Sequence, residues 1–171
     1  HTRAFTPNWY TTANTFGWLK INIENYDLHA VTYPNDPRLA TTYVSTWVRG
    51  NNGSIENSYP TNTARSTFGN SFPYLFKLGS RNPSNAVVET NKNFKIYRYS
   101  DLLLMLSEIS NELQNGQEMT YVSEVLGRVG LSPHAGYSGG QESFRAAIMK
   151  EYQFELIGEG HDWFNNRRRG Y

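Results

Sequence analysis

The sequence predicts a mainly α-helical fold, built from short helical hairpins that carry long loops and a few short strands. Three observations predict it. Apolar residues recur with a helical period over residues 97–113, 120–129 and 141–157. Turn-forming pairs such as Asn52-Gly53, Tyr59-Pro60, Gly69-Asn70, Phe72-Pro73 and Asn82-Pro83 crowd the region before them. Alternating apolar and polar residues, the mark of a strand, occur only in short runs. Residues 1–93 therefore read as a loop-rich segment with short strands on the ligand side, and residues 94–171 as a helical segment. Both are expected to be parts of one larger domain.

Taken in order, residues 1–25 are polar and aromatic, and only residues 18–23 alternate well enough for a short strand. The rest of that stretch reads as loop. Residues 33–39 form a turn cluster, because Pro34 and Pro37 bias the residues before them away from helix. Residues 40–49 alternate and predict a strand, with Trp47 on the face opposite Val44 and Val48. Residues 50–93 read as surface loop, with short extended pieces at 72–78 and 85–88.

The clearest helix is residues 97–113. Leu102, Met105, Leu106, Ile109 and Leu113 share one face, and Leu103 and Leu104 widen it. Ser100 is the expected N-cap, Asp101 suits the positive end of the dipole, and Asn115-Gly116 ends the helix. A second helix follows from Thr120, with Val122, Val125, Leu126 and Val129 on one side. Gly130 and Leu131 predict a Schellman ending. The short connection makes the pair an antiparallel hairpin of tetratricopeptide size, without that repeat's full consensus. Residues 133–140 break the pattern. A third helix spans 141–157, with Phe144, Ala147, Ile148 and Tyr152 beside Glu151, Glu155 and Glu159. Residues 161–171 lead out of it.

Composition excludes several function classes. The formal net charge is +1 over 171 residues, which gives no basic field for nucleic acid. No apolar run is long enough to span a bilayer. There is no cysteine, hence no disulfide and no thiolate chemistry. The sequence starts at His1 without Met and stops after an arginine cluster, so it reads as a fragment or processed piece. Aromatic residues make up 15% of the chain. Trp9, Tyr10, Trp18 and Trp47 stand among Asn, Thr and Gly. That company suits a sugar ring, whose C–H face stacks on an aromatic while its hydroxyls meet polar groups at the rim. These four are the candidate substrate-binding residues.

The run Tyr97-Arg98-Tyr99-Ser100-Asp101-Leu102-Leu103-Leu104-Met105-Leu106-Ser107-Glu108 resembles the helix signature of the SusD/RagB family. The resemblance extends to Asp36-Pro37-Arg38, which in that family begins a short strand, and to Gly127-Arg128-Val129-Gly130-Leu131. At the C-terminal end Glu151, Glu155, Leu156, Glu159, Gly160, Trp163 and Arg168 match the family's pattern. Tyr152 and Asp162 stand where it has arginine, and Asn165-Asn166 where it has Asp-Leu. The resemblance implies a SusD-like helical scaffold in a lipid-anchored protein of the outer-membrane surface. Such a protein captures an oligosaccharide or other nutrient for a SusC-like TonB-dependent transporter. It implies no enzyme, no cofactor and no nucleic acid, with the membrane reached only through a lipid anchor outside this sequence. The N-terminal repeats and closing C-terminal tail of such proteins also lie outside it. An alternative is a scaffold that contacts the transporter while the ligand site lies elsewhere.

Two other constellations could carry chemistry. Glu151, Glu155 and Glu159 follow one another on one helix face, whereas a glycosidase needs carboxyls on opposite sides of a bound sugar. They are expected to pair with Arg167–Arg169 or Arg145 instead, and a glycoside hydrolase subdomain would be revealed by activity lost on Glu155→Gln. His161 with Asp162 and Glu159 lacks the ligand spacing of a zinc site. Trp163 is assigned to packing.

Overall fold

A computed structural model describes residues 20–48, 53–63, 72–77 and 95–170. The chain divides into two compact units, residues 1–92 and 93–171. Among the described residues the fold is mainly helical, with six α-helices and a few two- or three-residue strands.

In the first unit, helix α1 spans Ile23–Thr32. The reading of residues 1–25 as loop, and of 18–23 as a possible strand, is corrected from Ile23 onward. The helix starts there because Asn22 caps it, its Oδ1 accepting from the Glu24 N–H at 3.2 Å. Before the helix, Lys20 keeps an antiparallel bridge to Tyr74, and Ile21 donates to the Pro73 carbonyl at 3.0 Å. The Asp-Pro-Arg element is also corrected: it opens helix α2, Pro37–Thr42, and not a strand. Asp36 is its N-cap, accepting from the Arg38 N–H at 2.8 Å, and Pro37 fills the first helical position, where no N–H is needed. The alternation of residues 40–42 misled because an N-cap and a following proline outrank it locally.

Strands β1 (Tyr43–Val44) and β2 (Thr46–Val48) follow directly. Strand β3 is Ile55–Asn57 and β4 is Tyr74–Leu75. β1 pairs antiparallel with β4, Val44 opposite Tyr74, and β2 pairs antiparallel with β3, Trp47 opposite Glu56. Trp47 is buried while Thr46 and Val48 are exposed, which is the predicted alternation. Tyr33, Tyr43, Trp47, Tyr74 and Phe76 make the core of this unit.

In the second unit, α3 is Tyr99–Leu113, α4 is Glu118–Gly127, α5 is Gln141–Leu156 and α6 is Asp162–Arg169. Helix α3 packs on α4 and α5, and one turn of 3-10 helix, Ala135–Ser138, packs on α5. Val122, Val125, Leu126, Leu104, Ile148 and Leu156 are at most 1% exposed. The Schellman ending forms as expected: Leu131 donates to the Leu126 carbonyl and Gly130 to that of Gly127, both at 3.0 Å. Gly130 takes φ of 75°, a conformation that costs glycine little.

Helix α3 turns out differently from its pattern. Its buried face carries Leu103, Leu104, Ser107, Glu108, Ser110 and Asn111. The stripe expected inside is outside: Leu102 is 47%, Ile109 52% and Leu113 69% exposed. Ser107, Glu108 and Asn111 are each buried with a partner from a neighbouring helix. Ser107 donates to the Glu118 carbonyl at 2.7 Å, and Asn111 Nδ2 to that of Gln141 at 3.1 Å. Ser100 is not the N-cap. That place falls to Arg98, without a side-chain bond, and Ser100 accepts from the Arg98 guanidinium. Gln114, in the left-handed conformation, is the C-cap ahead of Asn115-Gly116. The segment after residue 160 forms a helix that the sequence reading left as an exit.

Candidate ligand-binding groove and its charged surroundings

The described residues of the first unit form an open groove of about 440 Å³. Leu39 and Ala40 of α2 and Val44 and Phe76 supply an apolar floor. Tyr26 of α1 and Tyr43 line it with aromatic rings, and Pro60 closes one side. Tyr26 is held edge-on between two other tyrosines, at 5.0 Å from Tyr43 and 5.8 Å from Tyr59. Such tilted pairs suit the ring quadrupole and fix the ring's orientation. Burial first, and the neighbouring Asp27 charge second, raise the Tyr26 pKa, so its hydroxyl stays protonated at neutral pH. Asp27 itself accepts the Tyr59 hydroxyl at 2.5 Å.

The rim is polar and uncharged. Ser45 and Thr46 line the groove. Thr46 donates to Asn57 Oδ1 at 2.9 Å, and Thr61 donates to Ser45 Oγ at 3.0 Å. Hydroxyls of this kind both give and accept hydrogen bonds. The arrangement offers an aromatic and apolar bed edged by small polar groups.

Charge sits behind the groove. His29, fully buried, meets Asp36 Oδ2 at 2.8 Å through Nε2 and the Tyr43 hydroxyl at 3.3 Å through Nδ1. Arg38 Nε donates to both Asp36 oxygens, at 3.0 and 2.8 Å. Burial pushes the Asp36 carboxyl up, but the hydrogen bonds from His29 and Arg38 outweigh it and hold its pKa well below the usual carboxylate range. The motif Asp36-Pro37-Arg38 is thus a structural lock. It caps α2 and ties α1 to the tyrosine that lines the groove.

The candidate residues fare differently. Trp9, Tyr10 and Trp18 lie outside the described residues. Trp47 is 4% exposed and packs edge-on against Tyr74 at 5.3 Å, in the core and not in the groove. Sequence reasoning missed Tyr26 because the start of its helix, up to residue 25, was read as loop. The signal available was Asn22 followed by Glu24 in a first helical turn.

In the second unit the glutamates of α5 are occupied. Arg98 donates from NH1 to Glu155 at 2.6 Å and from Nε to Glu159 at 2.7 Å, and Arg128 reaches both Glu155 oxygens at 2.8 and 2.9 Å. Burial opposes the Arg98 charge, but the bonds and charges of Glu159 and Glu155 raise its pKa on balance. These partners correct the expectation of Arg167–Arg169 or Arg145. Arg168 and Arg169 serve Glu108 and Arg145 serves Glu112 and Glu142. Tyr152, standing in place of an arginine, is 1% exposed with the Arg168 guanidinium 5.6 Å over its ring. Asp162 begins α6, where the helix dipole favours an acid. His161 lies 3.9 Å from Asp101 and edge-on to Tyr97.

The packing role expected of Trp163 is also corrected: Trp163 is 68% and Phe164 70% exposed. The face of α6 turned toward α3 is the one that carries Arg168 and Arg169. Tyr97, Tyr99, Leu102 and Met105 line a second, shallow and apolar depression of about 510 Å³. Among the described residues, no group of three His, Cys, Asp or Glu could hold a metal ion, and no helix is long and apolar enough to cross a membrane.

Among known families, the model described as the SusD family matches residues 6–171. No curated protein and no solved structure is significantly similar to the chain.

Proposed function

The chain belongs to the SusD family, a family of glycan- and nutrient-binding proteins, and we propose that it captures an oligosaccharide at the outer-membrane cell surface for a SusC-like TonB-dependent transporter. It acts by binding alone, without catalysis and without a cofactor, in a protein held to the membrane by a lipid anchor. The observation that carries this reading is the groove of the first unit, where Tyr26 lies beside an uncharged hydroxyl rim. Trp9, Tyr10 and Trp18 are proposed as further stacking platforms, and Trp47 as the core support beneath the β2–β3 pair. Titration calorimetry of the full chain against plant, host and bacterial glycans tests it. One glycan class is expected to bind, with affinity falling about tenfold or more in Tyr26→Ala. Binding to none of them would contradict the reading.

A second reading has its own support. The exposed stripe of α3 and the rings of Trp163 and Phe164 give the second unit an apolar surface of the kind that proteins bury against partners. On that reading the helices are a scaffold that contacts the transporter, and the ligand site lies elsewhere. A chain that binds no glycan but binds the transporter through Leu102 and Ile109 would favour it.

A further inference from the structure

We propose that the groove of the first unit selects uncharged saccharides over uronic, sialylated or sulfated ones, an inference that rests on the glycan-capture reading above. The described residues that line it include no Asp, Glu, Lys, Arg or His. Among the described residues, two nearby acids are already committed. Asp36 is buried and shared between His29 and Arg38, and Asp27 holds the Tyr59 hydroxyl.

An acidic sugar entering this groove would lose water from its carboxylate or sulfate and meet, among the described lining residues, only neutral groups. Burying an ion without a counter-ion costs far more than burying a hydroxyl that is hydrogen-bonded. Asp27, whose charge acts on the groove-lining Tyr26, is itself negative and adds repulsion. A neutral sugar meets no such cost. Its C–H face lies on Tyr26 and the apolar floor, and its hydroxyls exchange hydrogen bonds with Ser45 and Thr46. Selectivity therefore comes from what the groove withholds as much as from what it offers. The volume, about 440 Å³, lies within the range of ordinary ligand clefts.

Ala40 is the position at which to test this. It is exposed on α2 and lines the groove, and lysine is a good helix former there. The full chain and Ala40→Lys are titrated with neutral oligosaccharides of starch, cellulose, xylan, mannan and galactan type. The same proteins are titrated with galacturonate, glucuronate and sulfated chondroitin fragments. The expected result is a neutral ligand bound about tenfold or more tighter than any acidic one, with the ratio narrowed in Ala40→Lys at an unchanged melting temperature. Equal or tighter binding of an acidic glycan by the unaltered chain overturns the inference and leaves glycan capture standing. A ratio unmoved by Ala40→Lys overturns the groove as the site. Failure to bind any glycan overturns the capture reading itself.

Discussion

The two units spend their charge in opposite ways, and the surfaces they keep differ accordingly. In the first, one acid, one arginine and one histidine are sealed together behind the groove. The described lining of the groove is aromatic, apolar and hydroxylic, a surface that recognises by shape and hydrogen bonds. In the second, arginines and glutamates knit four helices together: Arg98 and Arg128 to α5, and Arg168 and Arg169 to α3. Those pairs draw the polar face of α3 inward and leave Leu102, Ile109 and Leu113 exposed. The lesson is that a buried ion pair decides which face of a helix is free to bind, whatever the apolar periodicity says.

Breaking the locks should give the largest effects. Asp36→Ala takes the shared carboxylate from His29 and Arg38 and uncaps α2, and should cost about 3–5 kcal/mol in urea unfolding, the usual penalty for removing one partner of a buried pair. Glu155→Ala takes a buried carboxylate from Arg98, which keeps Glu159, and from the half-exposed Arg128, and should cost less, about 1–3 kcal/mol. If both cost less than about 1 kcal/mol, the ion pairs do not organise either unit.

The orientation of α3 is tested next, by two leucines two residues apart. Leu104→Ala should cost about 2–5 kcal/mol, whereas Leu102→Ala should stay within about 1 kcal/mol. Reversed values would mean that the apolar stripe faces inward after all.

Acid should act through both locks in the same direction. Asp36 and Glu108 have pKa values held below their ordinary range. For Glu108, burial works against the charge, and Arg168 and Arg169 prevail. Their stabilisation is complete above the unfolded carboxylate range, about pH 4, and is lost as pH falls through the lower folded values. Asp101 has the opposite sign, because burial raises its pKa despite His161 and Arg98. Its charged form weakens the fold above that range, and protonation removes the penalty. Asp101→Asn should therefore raise stability at pH 7 and steepen the loss on acidification, as read by urea titrations at both ends of the range.

Much of the second unit was legible in the sequence, and the reasons are local. Gly130-Leu131 wrote its own ending, and Val122, Val125 and Leu126 faced inward as their spacing required. The face of α3 was not legible, because its partners Arg168 and Gln141 lie 60 and 30 residues away from Glu108 and Asn111. The groove was less legible still. Tyr26 looked like one more aromatic in a polar loop until Asn22 capped a helix beneath it, and its neighbours Tyr43 and Tyr59 come from separate turns of the chain. Trp47 was visible as an aromatic in polar company, but not as a core residue, since its burial depends on Tyr74 across the β1–β4 pairing.

One paired titration separates the two surfaces most directly. The full chain, Tyr26→Ala and Ile109→Asp are each titrated with the glycan that binds, alongside thermal melts to verify folding. Binding lost in Tyr26→Ala and kept in Ile109→Asp is the predicted result. Binding kept in Tyr26→Ala and lost in Ile109→Asp would contradict the account, and would move the ligand to the helical unit.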